Sequence, residues 1–294
     1  MVIGHQKQWQ FLKKSVKLSR FSHAYLFSGQ EKLGKKTIAY EFIKLFFGND
    51  AIQSHPDFIF ITPIEKEIQI KQIRDLNWRL SLKPFSAPLK VAIIDQAHLM
   101  NAEAQNCFLK TLEEPRGETL LILISEYPEF LFPTIRSRTE IIKFYPVPRK
   151  EIEAYLKKQG AGEEKSRLIS QISQGKPGVA IDFLNYPQKL KERELLINEI
   201  VKLTKSDLNF RFQYAKKLSK TADFKKNLDL WLFYFREILL SKIDKNNIGK
   251  IDIGDTCKIS KIQNILEKIQ STNFLISTTN VNPRLALEVL MLEL

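Results

Sequence analysis

Residues 29–37, Gly29-Gln30-Glu31-Lys32-Leu33-Gly34-Lys35-Lys36-Thr37, constrain this chain more than any other stretch. Their spacing is that of a phosphate-binding loop, G-x-x-x-x-G-K-[ST]. The apolar run Ala24-Tyr25-Leu26-Phe27 precedes the loop, and a helical pattern starts near Thr37. Strand, loop and helix are the context such a loop needs, because its backbone N–H groups and the dipole of the following helix together cradle anionic oxygens. Lys35 is the loop lysine. The next position departs from the pattern: where a hydroxyl should ligate Mg²⁺, the chain has Lys36. The chain keeps a nucleotide-binding loop and lacks part of the apparatus for hydrolysis.

Two readings of Lys36 are open. Unit charges ~4 Å apart interact by about 4 kcal/mol at an effective dielectric of 20. An ammonium at the metal position would repel Mg²⁺ and partly replace it against phosphate. Alternatively, the side chain points to solvent. A second departure lies downstream. Val91-Ala92-Ile93-Ile94-Asp95 has the form of a buried strand ending in a carboxylate near the phosphates; a helix N-cap is the other reading of Asp95. The residue after it should be a glutamate that activates water. Here it is Gln96, which cannot take a proton, and loss of a general base costs typically ~10²–10⁴ in rate.

Short apolar runs at 24–27, 58–61, 91–94, 120–124 and 141–144 alternate with helical patterns at 37–46, 70–82, 102–112 and about 132–137. The runs are continuously apolar, as strands buried on both faces are, so the alternation predicts an α/β domain with a parallel sheet. Pro146-Val147-Pro148 ends the alternation. Helical patterns at 149–159, 163–173 and 178–184 follow, separated by Gly160 and Gly175, and Pro187 marks a further boundary. From Leu190 onward the chain reads as long amphipathic helices, broken near Asn246-Asn247-Ile248-Gly249 and at Asn282-Pro283. The expected organisation is 1–146 as the α/β domain, 147–187 as a small helical lid and 188–294 as an all-helical domain.

Composition excludes several classes. Cys107 and Cys257 are far apart, and His5, His23, His55 and His98 are scattered, so neither a disulfide nor a metal site is expected. The first ten residues are mixed polar and no apolar run approaches ~20 residues, so a cytoplasmic protein is expected. The net charge of +13 suits an anionic partner but is diffuse, and carries little weight alone. Ser137-Arg138-Thr139, before the last strand candidate, places an arginine at the sheet edge. From the residues alone Arg138 reads as a surface arginine, although a fixed guanidinium there is also suited to a developing phosphate charge on a neighbour.

Several blocks carry a resemblance. Gly4-His5-Gln6, 23–29, His55-Pro56-Asp57, Lys110-Thr111-Leu112-Glu113-Glu114-Pro115, Ser137-Arg138 and Asn280-Val281-Asn282-Pro283-Arg284-Leu285 closely resemble the bacterial clamp-loader ATPases, across essentially the whole chain. The resemblance implies an AAA+ P-loop domain with sheet order 5-1-4-3-2, a helical lid and an all-α collar that joins subunits into a ring. Such a ring opens a sliding clamp and places it on primer-template DNA. Within that family the chain is similar to the non-hydrolysing DNA polymerase III subunit, whose partners are the motor (gamma/tau) and delta subunits, and it makes Arg138 the trans arginine finger.

The departures fit that member. Lys36 and Gln96 are two; Gly178 stands where motor subunits carry a nucleotide-sensing arginine, and Glu126, after Ser125, where they sense the γ-phosphate. The segment 47–54 lacks the family's zinc-binding cysteines, so no zinc is expected. Thr139 replaces the commoner cysteine after the arginine. No cofactor is required on this reading; weak ATP or ADP binding at Gly29, Gly34, Lys35, Lys36, Thr37 and Asp95 stays open. Lys71, Arg74 and Asn101 are the candidates to face DNA. The competing readings are an active gamma/tau-like ATPase, which needs a hydroxyl at 36 and a glutamate at 96, and a P-loop kinase, for which the helical C-terminal third offers no catalytic constellation.

Overall fold

The structure is a computed structural model that describes residues 2–48, 52–115, 117–221, 224–243, 258–278 and 281–294. Five strands, β1 (Ala24–Ser28), β2 (Phe58–Ile61), β3 (Lys90–Ile94), β4 (Thr119–Ser125) and β5 (Glu140–Lys143), form one sheet in the order β2-β3-β4-β1-β5. All neighbours are parallel; Leu26 pairs with Leu123 on one side and with Ile141 on the other. The order is the expected 5-1-4-3-2. β1, β3 and β4 are buried along their whole length, which is why each reads as an unbroken apolar run.

The period-2 alternation of strand side chains divides the core. Tyr25, Phe27, Val91 and Ile93 face the layer made by α1 (Gln6–Lys17) and α2 (Lys35–Phe47), where Leu12, Ile38 and Phe42 are buried. Ala24, Leu26, Ala92 and Ile94 face α3 (Ile70–Ser81) and α4 (Ala102–Glu113), against Ile73, Leu76 and Phe108. A short α5 (Pro133–Ser137) leads into the edge strand β5. The helix α1 has no counterpart among the expected elements. Its apolar stripe is thin, with Leu12 buried and Trp9 and Val16 only partly so, among many polar residues.

Three further helices, α6 (Arg149–Lys158), α7 (Glu163–Ile172) and α8 (Pro177–Asn185), belong to the same compact unit, Met1–Tyr186. The second unit is Pro187–Leu294, so the division falls one residue before the expected 187/188, at the proline that opens α9 (Pro187–Lys205). It contains α10 (Leu208–Leu218), α11 (Phe224–Ile243), α12 (Ile259–Thr278) and α13 (Pro283–Met291). Leu228, Trp231 and Phe235 of α11 share one core with Ile262, Ile265 and Ile269 of α12 and Leu287 and Leu290 of α13. The expected break near Asn246-Asn247-Ile248-Gly249, and the positions of Cys257 and Asn280, lie outside the described residues. No helix among the described residues is long and apolar enough to cross a membrane.

Candidate phosphate-loop site and edge arginine

β1 delivers the chain to the loop at the C-terminal edge of the sheet. Gly29 leaves the strand with φ +146°, and a Cβ there would lie 2.5 Å from the carbonyl oxygen of Phe144, so only glycine fits. Gly34 then turns into α2 in the left-handed conformation, with φ +93°. Two contacts from distant parts of the chain fix the loop between them. His5 Nε2 lies 3.0 Å from the Leu33 carbonyl, and the Gly178 N–H donates to the Lys32 carbonyl at 2.9 Å. Burial lowers the pKa of His5, against the contact with Leu33, so the ring is neutral near pH 7. The Lys32 ammonium also pairs with Asp182 of α8 at 3.0 Å. Gly178 therefore lies directly on the loop, and a Cβ at this position would meet Lys32 at 3.0–3.2 Å.

The sequence brought Gly29, Gly34, Lys35, Lys36, Thr37 and Asp95 together as one site. In the structure, Gly34, Lys35, Lys36, Thr37 and Asp95 line a single cavity of about 360 Å³ with Gln96, Glu126 and Gly178, and Gly29 begins the loop that bounds it. Lys35 is buried and folds back on its own loop, donating to the carbonyls of Gly29 and, at 2.6 Å, of Gln30. Burial lowers its pKa, a shift opposed by the carboxylates of Glu126, Asp95 and Glu31.

Lys36 does not point to free solvent. Its Nζ lies 3.3 Å from Asp95 Oδ2 and 4.2 Å from the centre of the Phe60 ring. The other carboxylate oxygen of Asp95 accepts the N–H of Gln96 at 3.1 Å. The N-cap reading of Asp95 fails, because the short turn Ala97–Leu99 is capped by Gln96, without a side-chain hydrogen bond. Gln96 itself is left-handed, at φ 53°. Mg²⁺ does not fit these residues. The carboxylate that would hold it is engaged by an ammonium, and no hydroxyl stands at position 36. The nearest hydroxyl, Thr37, is one position further along α2, which begins at Lys35. Among the described residues no group of three His, Cys, Asp or Glu side chains is arranged to bind a metal.

Arg138 lies far along the chain, at the C-terminal cap of α5 beside the edge strand. Its guanidinium donates to the Thr134 carbonyl at 3.2 Å and pairs with Glu113 Oε1 at 2.9 Å, with over a third of the side chain exposed. Glu113 belongs to the Leu-Glu-Glu-Pro block. Thr139, next to it, turns its hydroxyl to the Arg136 carbonyl. Lys71 and Arg74 are exposed one turn apart on α3, and Trp78 continues that face. Asn101 is used locally: its Oδ1 caps α4 by accepting the Ala104 N–H at 2.9 Å.

Sequence reasoning gave no role to His5, Asp57 or Glu113. Asp57 is fully buried and accepts the N–H groups of Phe85, Ser86 and Ala87 at 2.7–3.0 Å, with Lys90 Nζ 3.7 Å away. All three lie in blocks that the sequence analysis quoted. The blocks were the signal, and only the tertiary partners give it meaning.

Comparison with known proteins agrees with this geometry. A sequence model of the family described as DNA polymerase III, delta subunit, matches residues 4–148. The DNA polymerase III subunit delta' of Bacillus subtilis is 28% identical over 97% of this chain and 94% of its own length. The delta' subunit of Pseudomonas aeruginosa is 33% identical over 41% of this chain and 42% of its own. In fold, the chain is similar to a DNA polymerase III gamma subunit-related protein of Thermotoga maritima, with a TM-score of 0.57 at 20% identity over 96% of this chain and 97% of that one. A parallel sheet with an altered phosphate loop, and a delta' relative that matches along 97% of the chain, lead to one assignment: the chain belongs to the delta-prime family of DNA polymerase III clamp-loader subunits.

Proposed function

We propose that this clamp-loader subunit does not hydrolyse ATP and instead lends Arg138 to the ATP of an adjoining motor subunit. The observation that carries the reading is the Lys36–Asp95 pair at 3.3 Å. It removes the metal-binding carboxylate from use, beside a glutamine that cannot act as a base. Arg138 supports the second half. It is exposed at the sheet edge, outside the chain's own cavity lining, and a guanidinium fits a planar phosphoryl group.

The motor and delta subunits are its neighbours on this reading, and residues 188–294 join it to them. α13 there keeps Leu285 and Val289 exposed, as is Leu292 at its C-terminal cap. The sliding clamp and primer-template DNA are met through the assembled loader, with Lys71 and Arg74 proposed to face the DNA. No cofactor is needed for this role, and the protein acts in the cytoplasm.

Two measurements test the proposal. The isolated chain should turn over ATP no faster than a buffer blank; turnover that Lys35→Ala abolishes would refute the non-hydrolysing half. In the assembled loader, Arg138→Ala should reduce DNA-stimulated hydrolysis and clamp loading. A trans finger is worth roughly 10³–10⁵ at the site it serves. Assembly should persist, and stability should change by less than about 1 kcal/mol, because the Glu113 pair lies at the solvent-exposed surface. Lys35→Ala should barely affect loading. Unchanged hydrolysis with Arg138→Ala, together with a loader disabled by Lys35→Ala, would exchange the roles of the two sites.

A further inference from the structure

The phosphate-loop cavity has lost the geometry for Mg²⁺ but not the geometry for phosphate. Both glycines keep their conformations, Gly29 at φ +146° and Gly34 at φ +93°. The first turn of α2 has neither a side-chain cap nor an acidic residue, so its N–H groups have no side-chain acceptor of their own. Lys35 is a buried ammonium whose partners are two carbonyls of its own loop. No carboxylate lies within ion-pair distance of it among the described residues. Such a charge is costly to bury unless an anion arrives.

Lys36 supplies what the metal would have supplied. In a metal-dependent site the divalent cation stands between the strand-end carboxylate and the phosphate oxygens. Here the Lys36 ammonium stands on that carboxylate, and its side chain, nearly half exposed, lines the cavity. It can reach phosphate while keeping Asp95 neutralised. We propose that this cavity is a metal-independent binding site for a diphosphate chain, with Lys36 in the place of Mg²⁺.

Two features narrow the ligand. Glu31, Asp95 and Glu126 share the cavity with Lys32, Lys35 and Lys36, three carboxylates against three ammoniums, so the tolerance for added negative charge is limited and a diphosphate suits it better than a triphosphate. Beside the loop, the apolar recess lined by Val2, Ile3, Pro177 and Ile181 holds only about 50 Å³, room for one or two waters. The Gly178–Lys32 hydrogen bond and the Lys32–Asp182 ion pair keep α8 against the loop there. Among the described residues this recess offers a purine no seat, so affinity comes from the phosphates.

The inference is independent of Arg138, and its test uses the full chain alone. Calorimetric titrations with ADP and with inorganic pyrophosphate would be run in excess chelator and in excess Mg²⁺. Both ligands should bind in chelator with affinities within about threefold of each other, and Mg²⁺ should weaken binding at least about threefold, the inverse of an ordinary phosphate loop. Lys36→Thr, an exposed substitution whose folding is checked by its melting curve, should lose about tenfold in chelator and regain affinity on adding Mg²⁺. Absence of binding in chelator, or tighter binding in Mg²⁺, would overturn the site. Wild-type affinity in chelator for folded Lys36→Thr would overturn the role of Lys36, and ADP binding more than tenfold tighter than pyrophosphate would overturn the indifference to the base.

Discussion

The two compact units bury different chemistry. In Met1–Tyr186 a buried carboxylate and a buried amide each hold several partners: Asp57 three backbone N–H groups, and Gln105 the carbonyls of Met100 and Phe130 and the N–H of Phe132. Each ties a loop that the sheet alone would leave free. In Pro187–Leu294 the core is Trp231, Phe235, Ile265, Leu287 and similar residues, while pairs such as Tyr214–Glu199 and Asn273–Asp229 join helices at exposed positions. The difference is one of purpose. Loops around a phosphate-loop cavity need fixed backbone positions, and a buried polar group with all its partners specifies one geometry. A helical bundle needs only matched apolar faces, so substitutions should cost most where the first unit has buried charge and least where the second has buried polarity without a partner.

Asp57 should give the largest effect on stability. Asp57→Ala leaves three N–H groups and Lys90 without their acceptor, which should cost about 3 kcal/mol, read as a lower denaturant midpoint. Burial pushes the carboxyl pKa up, but the N–H groups of Ser86, Ala87 and Phe85 and the charge of Lys90 outweigh it, and the folded-state pKa lies below the ordinary value. The sign follows: the carboxylate contributes stability that is present above its unfolded pKa of about 3.9 and is lost as pH falls through the lower folded value. The gap between wild type and Asp57→Asn should therefore be constant from pH 5 to 8 and shrink below about pH 4. A gap that narrows near neutrality would mean the carboxylate is not the acceptor.

Arg211 makes three hydrogen bonds within the second unit and should matter less. Its guanidinium donates to the carbonyls of Leu203 and Thr204 at the end of α9 and of Met291 at the end of α13, at 3.0–3.3 Å. Cations favour helix C-termini, and the Leu203 carbonyl keeps the N–H and hydroxyl of Ser206 as donors when the arginine is removed, so Arg211→Ala should cost only about 1–2 kcal/mol. Arg211→Lys should recover less than half, because one ammonium cannot span three carbonyls as the fork does. A cost above that of Asp57→Ala would break the contrast between the units.

Much of the first unit was legible in the sequence. Its strands are buried on both faces, so 58–61 and 91–94 read as uninterrupted apolar runs, and the observed ends of all five strands fall within a residue or two of expectation. The phosphate loop is a local pattern and showed itself with its departures. The fate of Lys36 was not legible: whether it meets Asp95 or solvent depends on β3 lying beside β2, with the Phe60 ring beneath the ammonium. The same holds for His5 with Leu33 and Glu113 with Arg138, pairs joined only by the fold. α1 escaped notice because its buried stripe is only one or two residues wide.

The smallest expected effect, and the one of opposite sign, concerns Tyr234 on α11. The ring is buried against Phe235, and its hydroxyl has no hydrogen-bond partner among the described residues. Burial pushes its pKa up to about 12, so the group is a neutral hydroxyl throughout the working range of pH. An unpaired buried hydroxyl costs more than the packing of its single oxygen returns. Tyr234→Phe should therefore stabilise the protein by about 0.5–1 kcal/mol. The gain should appear as a higher denaturant midpoint with unchanged slope, since the apolar surface exposed on unfolding is nearly the same. It should also be equal at pH 5 and pH 9, because nothing titrates. If Tyr234→Phe instead destabilises by 1 kcal/mol or more, the hydroxyl is engaged in the folded protein. The second unit would then rely on buried polar contacts as the first does, and the distinction drawn between them would fall.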